Sequence, residues 1–303
     1  MATALRNLSQ HEQINFLLSN RVPRRALTQF MGWYSRIESP WLTRLSLAAW
    51  QRFADDLRLD EAEQQEFSSV HACFTRSLKP GMRPVDPRPE VIVSPCDAIV
   101  GECGTVAGTT VFQAKGFPYE IGDLIPDPAL QERYRDGRYV TLRLKSSMYH
   151  RFHAPTDCTV DEVRYISGDT WNVNPVALKR IEKLYCRNER AVVPLGGLHS
   201  GSICMVPVAA ILVASMKFHC LPDLPDLRSG GQTRFRCQAR YKKGEEMGYF
   251  QHGSTIIVFA TPEYALAEGI QQGQAIRMGQ ALMTDTAAAV SAPLPPEVVS
   301  PTA

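Results

Sequence analysis

Apolar residues in the first eighty positions recur with helical spacing, whereas beyond residue 90 they form short runs or alternate as strands do. Leu27, Phe30, Met31 and Tyr34 share one side of a helix, and Pro23 suits its first turn because no amide donor is needed there. Glu38-Ser39-Pro40 breaks this stripe, and Leu42, Leu45, Ala49, Phe53 and Leu57 begin a second one. A third, shorter helix is expected before Leu78-Lys79-Pro80-Gly81, where Pro-Gly signals a turn. Strands are expected at Val91–Val93, Ile99–Val100, Thr109–Phe112, Tyr139–Leu144 and Cys158–Ile166. Others are expected at Ala191–Leu195, Ile203–Ala214, Thr233–Tyr241 and Thr255–Ala260. One helix, Pro128 to Arg135 closed by Gly137, interrupts them. The predicted fold class is α+β: an N-terminal helical region over 1–80 and a β-rich, sheet- or sandwich-like body over 81–284. Residues 285–303 thin into Ala, Pro, Ser and Val and read as a disordered tail.

Bulk composition narrows the function classes. A chain of 303 residues with 44% apolar and 21% charged residues can bury a sizeable core, and a formal net charge of +2 gives no electrostatic basis for a nucleic-acid partner. Charge is unevenly spread. Arg6, Arg21, Arg24, Arg25, Arg36 and Arg44 precede the acidic stretch Asp55, Asp56, Asp60, Glu61, Glu63 and Glu66. A basic start bearing Trp33 and Trp41 suits an anionic membrane surface as well as it suits a solvated helical face. No segment reaches the roughly 20 apolar residues that span a bilayer. The longest approach, Ile203 to Met216, contains Pro207 and reads as a buried strand or pair of strands, so membrane association is expected to be peripheral. Met1 to Ser9 lacks the apolar core of a secretory leader. None of the eight cysteines forms a CxxC pair, which points to free thiols in a reducing compartment.

Taken singly, the residues able to carry chemistry are weak signals. His150 and His153 would share a face on one helical turn, as a metal pair does, but no HExxH or acidic partner supplies a third ligand. Asp97 in Ser94-Pro95-Cys96-Asp97-Ala98 is by default a turn residue, and Gly253-Ser254-Thr255 a strand entry. A Gly-Ser pair also occurs at Gly201-Ser202.

In combination these segments carry a resemblance. Phe74-Thr75-Arg76-Ser77-Leu78-Lys79-Pro80-Gly81-Met82-Arg83-Pro84 follows the pattern F-x-R-x-L-x-x-x-x-R-P. Ser94-Pro95-Cys96-Asp97 follows S-P-x-D, and Gln113-Ala114-Lys115-Gly116 ends in the expected K-G. Tyr149-His150-Arg151-Phe152-His153-Ala154-Pro155 follows Y-H-R-x-H-x-P. Asn188-Glu189-Arg190 and Gly244-Glu245-Glu246-Met247-Gly248 follow N-E-R and G-x-E-x-G, and Gly253-Ser254-Thr255 falls where a self-cleavage triplet is due. From about Leu27 to Met283 the chain resembles the bacterial, pyruvoyl-dependent phosphatidylserine decarboxylases. Two positions depart from the usual pattern: His252 stands where an apolar residue precedes the triplet, and Ala98 where glycine follows the aspartate.

The resemblance implies a self-processing enzyme of phospholipid biosynthesis. Ser254 attacks the Gly253 carbonyl, with His153 as base and Asp97 holding its tautomer, in the logic of a serine-protease triad. The cut gives a β chain, 1–253, and an α chain, 254–303, whose N-terminus becomes the pyruvoyl cofactor. That group forms a Schiff base with phosphatidylserine and acts as the electron sink for loss of carbon dioxide, leaving phosphatidylethanolamine. His150 is the candidate for substrate positioning or proton transfer, and no metal is required. The implied location is the cytoplasmic side of the cell membrane, peripherally bound, with the two chains paired and a homodimer of such pairs suggested. The rival readings are a metal-dependent hydrolase built on His150 and His153, and a non-catalytic lipid-binding homologue.

Overall fold

In the computed structural model, residues 24–54, 57–114, 117–198, 200–210, 216–221, 232–251 and 254–286 are described. Pro23, Lys115-Gly116, the far end of the strand expected over 203–214, His252-Gly253 and the expected tail from 287 onward lie outside them. The helical N-terminal region consists of α1 (Arg24–Tyr34), α2 (Pro40–Phe53) and the one-turn α3 (Val70–Phe74). Ser39 caps α2 by accepting the Leu42 amide while Pro40 occupies the first turn, so the residues that break the first stripe also start the second helix. Ala62, Phe67 and Cys73 make a small core beneath these helices, joined by Leu47, Leu59 and Ala72.

The body is built on an eight-stranded sheet. Its strands are β2 (Ala98–Thr105), β5 (Arg138–Leu144), β7 (Cys158–Ile166), β8 (Arg190–Leu195), β9 (Ile203–Ala209), β11 (Gln232–Tyr241), β13 (Ser254–Ala260) and β15 (Ala275–Ile276). They lie in the order β11-β7-β8-β9-β13-β5-β2-β15, and each pairing is antiparallel. A three-stranded sheet joins β6 (Arg151–His153), β10 (Met216–Phe218) and β12 (Glu246–Phe250). A second joins β1 (Val91–Val93), β14 (Tyr264–Leu266) and β16 (Ala281–Asp285), and a hairpin joins β3 (Thr110–Ala114) to β4 (Phe117–Glu120).

Strand periodicity divides the core into two layers. Val140, Leu142, Ile256 and Val258 point to one face, where Phe152, Phe218, Phe250, Leu282 and Met283 of the small sheets cover them. Tyr139, Ile257, Phe259, Val206 and Val208 point to the other, against Tyr119, Leu124, Leu130, Tyr134, Leu184 and Tyr185. β13 is therefore buried along its whole length, and each of Ile256, Ile257, Val258 and Phe259 contributes about 1.5–3 kcal/mol of burial. The α+β reading and the sandwich-like body hold. The interrupting helix is shorter than its pattern suggested, at Pro128–Arg133, and the left-handed residue after it is Asp136 (φ 56°). Gly137 is instead required by close approach: a Cβ there would lie 2.2 Å from the Ala260 carbonyl oxygen.

Candidate active site

Strand register brings the candidate residues to one end of the large sheet. Ser254 begins β13, opposite Leu144 on one side and Ala209 on the other. Ile99 sits opposite Arg143, so Asp97, which leads into β2, lies at the same end. Beyond Leu144 the chain turns through Ser146 and Ser147 to Tyr149, His150 and β6. Strand alternation sets the Ser254 side chain on the face of Ile256 and Val258, which the β6–β12–β10 sheet covers.

Ser254 is fully buried, and its hydroxyl has no hydrogen-bond partner among the described residues. An unsatisfied buried hydroxyl costs about 1–3 kcal/mol, an arrangement kept where the group has work other than stability.

His153 is fixed at both ring nitrogens. Nδ1 lies 2.9 Å from the Gly244 carbonyl, and Nε2 lies 3.0 Å from the Tyr149 hydroxyl. A carbonyl only accepts, so Nδ1 carries the proton; the neutral ring then offers Nε2 as acceptor and Tyr149 donates to it. Burial pushes the His153 pKa below its ordinary value, against the opposing pull of the Gly244 carbonyl and the Glu246 and Asp97 carboxylates. The ring is thus held neutral with its basic nitrogen exposed only to a hydroxyl.

Asp97 does not take the position expected of it. Its carboxylate accepts from Arg83 Nε at 2.8 and 3.0 Å, from Arg83 Nη2 at 2.5 Å and from the Met278 amide at 2.9 Å, rather than from the His153 ring. Arg83 bridges to Glu61 at 2.8 Å as well, forming a buried carboxylate–guanidinium–carboxylate cluster. The Asp97 loop still reaches β6 through its backbone, since the His153 amide donates to the Pro95 carbonyl.

His150 and His153 do not share a helical turn. His153 belongs to β6, whose residues Arg151–His153 are extended because they pair with β12. His150 is fully buried, its Nδ1 is 2.7 Å from the Met148 carbonyl, and its ring packs on Phe74 at 3.9 Å between centroids. Both nitrogens of His153 and Nδ1 of His150 are engaged with separate partners, and no cluster of three or more His, Cys, Asp or Glu suited to a metal occurs among the described residues.

Several residues of the site lay inside recognised motifs without a role. Arg151 binds Glu246 at 2.8 and 3.0 Å and donates twice to the Thr75 carbonyl. Buried Arg76 donates to the Leu57, Cys73 and Ser147 carbonyls, tying the helical region to the turn before Tyr149. Gly244 adopts φ 82°, which aims its carbonyl at His153, and Gly248 lets β10 approach: a Cβ there would meet the Lys217 carbonyl at 2.0 Å. Asn188 donates to the Ala209 carbonyl, bracing β9 beside Ser254. The only advance signal for these roles was motif membership.

The phosphatidylserine decarboxylase family profile matches residues 70–284, the stretch that contains Arg83, Asp97, Tyr149, His150, His153, Gly244 and Ser254 but not Glu61. The chain belongs to the phosphatidylserine decarboxylase family. A phosphatidylserine decarboxylase proenzyme of Brevibacillus brevis is 31% identical over 89% of this chain and 97% of its own length. Proenzymes of the same name from Methylococcus capsulatus and Methylibium petroleiphilum are 32% and 33% identical, covering 86% and 89% of this chain and 93% and 97% of their own. Family membership accounts for why six separated motifs meet at one sheet end.

Proposed function

We propose that this chain is a phosphatidylserine decarboxylase that generates its own pyruvoyl group from Ser254. The observation that carries the reading is the buried Ser254 hydroxyl, without a hydrogen-bond partner among the described residues, at the head of the central strand and in the face covered by the sheet that bears a neutral His153. Ser254 Oγ attacks the Gly253 carbonyl while His153 Nε2 takes its proton; the amide C–N bond breaks, an ester forms, and the freed amine receives the proton back. Removal of the Ser254 Cα proton with loss of the acylated oxygen as the Gly253 carboxylate leaves dehydroalanine, whose imine tautomer takes up water and releases its nitrogen as ammonia. Backbone hydrogen bonds of Gly244 and Pro95 hold His153, while the Asp97 and Glu246 charges favour the imidazolium that forms.

The site suits a pyruvoyl group because the atoms that become it lie in a dry strand position between Leu144 and Ala209. The group supplies an electron sink for decarboxylation of an amine-bearing substrate. His150, adjacent to β6 and hydrogen-bonded through its own carbonyl to the Phe250 amide, is the residue suited to orient substrate or move a proton.

A two-chain lipid requires a site that meets a bilayer. Phe30, Trp33, Trp41 and Leu45, all on α1 and α2, are exposed by 53, 63, 74 and 55%, a lipid-facing patch at the interface end of the molecule's helical region. No helix of the described residues is long and apolar enough to cross a membrane, which fits peripheral attachment at the cytoplasmic face. The resemblance further suggests that the paired β and α chains form a homodimer.

Denaturing electrophoresis with intact-mass measurement tests the reading. Two chains divided after Gly253 are expected, the shorter without a free amine, together with release of carbon dioxide from phosphatidylserine vesicles. Ser254→Ala and His153→Ala should each leave one uncut, inactive chain. An uncut wild-type chain that decarboxylates phosphatidylserine would refute the cofactor assignment.

A further inference from the structure

We propose that Tyr149 is a positioning residue for self-cleavage: its hydroxyl, with the Gly244 carbonyl, clamps the His153 imidazole in one orientation and one tautomer. This rests on the reading of His153 as the base for Ser254. Two distances define the clamp, 2.9 Å at Nδ1 and 3.0 Å at Nε2, and both partners are built into the fold. Gly244 is locked in a left-handed turn whose amide binds the Ala154 carbonyl, and Tyr149 is buried at the start of the strand that carries His153.

The clamp does the work that Asp97 was expected to do. In a serine-type triad the third group must hold one ring nitrogen protonated so that the other stays basic. Asp97 is committed to Arg83 and the Met278 amide, so it acts on the ring through charge and through the Pro95 backbone contact. The Gly244 carbonyl supplies the tautomer, and Tyr149 supplies orientation. Its phenol is kept protonated by burial, so it remains a donor, and its hydrogen bond goes to Nε2. Protonating the ring would turn Nε2 into a donor and leave the Tyr149 hydrogen to find a new acceptor in a buried site. Tyr149 thereby disfavours the imidazolium before Ser254 attacks; Nε2 has a single lone pair, so as it takes the Ser254 proton the Tyr149 hydrogen turns away and the Tyr149 oxygen accepts from the protonated ring. The charged groups facing this pair are Asp97 and Arg83 from the segments before β2, Arg151 from β6, and Glu246 from β12.

The test follows the cutting of freshly synthesised chain in cell-free translation over a pH series, comparing wild type, His153→Ala and Tyr149→Phe. Tyr149→Phe should slow processing about tenfold, the value of one hydrogen bond of about 1.4 kcal/mol, and move the acid limb of the rate profile to higher pH. Processing at the wild-type rate or faster, or a slower rate with an unmoved acid limb, overturns the proposal. A second measurement does not depend on cutting. In uncut Ser254→Ala protein, ring-nitrogen NMR should show His153 protonated at Nδ1 alone, and adding Tyr149→Phe should shift the Nε2 resonance as its hydrogen bond is lost while the Nδ1 proton stays in place. A ring protonated at Nε2, or unchanged by the second substitution, overturns it. If His153→Ala itself is cut normally, the base assignment fails instead, which separates the two ideas.

Discussion

Replacing Arg83 by methionine should destabilise the uncut chain far more than the loss of an ordinary ion pair. Arg83 is 5% exposed at its side chain and stands between Asp97 and Glu61, exposed by 10 and 13%. Methionine keeps most of the apolar stem but removes the charge, leaving Asp97 with the Met278 amide and Glu61 with Arg58 at 3.2 Å and Arg277 at 3.9 Å. Stranding a buried carboxylate costs about 3–5 kcal/mol, against about 0–1 for an exposed pair. Glu61→Gln, which leaves the three Arg83–Asp97 contacts intact, should cost only about 1 kcal/mol. Denaturant unfolding in the Ser254→Ala background measures both without interference from cutting. The decisive arm is the double change Arg83→Met with Asp97→Asn, which removes the stranded charge and should recover about 1–3 kcal/mol of the single-variant loss. Two results would sink the argument: a loss below about 1 kcal/mol for Arg83→Met, or strict additivity in the double variant.

Stability should also fall as pH drops through the window below 6.5, the ordinary histidine value. Burial lowers the folded-state pKa of both His153 and His71, so in that window the unfolded chain binds protons that the folded chain refuses. Unfolding midpoints of uncut protein should decline on acidification there, and His153→Gln should flatten the slope; a midpoint that rises on acidification contradicts the assignment. Replacing Trp33 and Trp41 together by alanine should weaken partitioning into anionic vesicles at least about tenfold, since each indole offers more than 1.4 kcal/mol of apolar burial. Co-sedimentation measures this, and unchanged binding by a folded double variant would remove α1 and α2 from the membrane contact.

How much of this was legible in the sequence depends on the range of the interactions. Helices-then-strands was readable because α1 and α2 carry helical stripes and β5, β7, β9 and β13 are long enough to show strand texture. The short strands β6, β10, β12, β14, β15 and β16 were not, because two to five residues carry too little pattern and their pairings are made with distant segments. The segment Tyr149 to His153 carried no strand signal for the same reason. Tyr149, His150, Phe152 and His153 are all buried, so no alternation marks them, and the pairing with β12 makes Arg151 to His153 a strand. At the site, Asp97, His153 and Ser254 came from resemblance rather than from spacing. Arg83, Tyr149 and Gly244 were inside the same motifs, but which of them holds which is decided by contacts such as the 91-residue separation between His153 and Gly244. A sequence pattern conveys that residues belong together and leaves open the hydrogen bond that joins them.

Cutting the chain before Ser254 requires a fold that survives the cut, and this topology supplies it. β12, on the upstream side, is sewn to β6 and β10, while β13 is sewn to β5 and β9 in a different sheet. The remaining strands downstream of the cut behave likewise: β15 pairs with β2, and β16 with β1 and β14. Every downstream strand except β14 therefore bonds directly to the upstream chain, and β14 is held through β16. What the cut removes is the connection across residues 251–253, and the hydrophobic faces of β13 stay covered on both sides. For the proposed cut, register accounts for residue 254 as the new end. A shift of one position would carry the serine side chain to the face of Thr255 and Ile257, against Tyr185 and away from the sheet that holds His153. On that reading the alternation that buries the strand selects which hydroxyl can meet the base, so a one-residue insertion between Ser254 and Ile256 should leave a foldable chain that does not process.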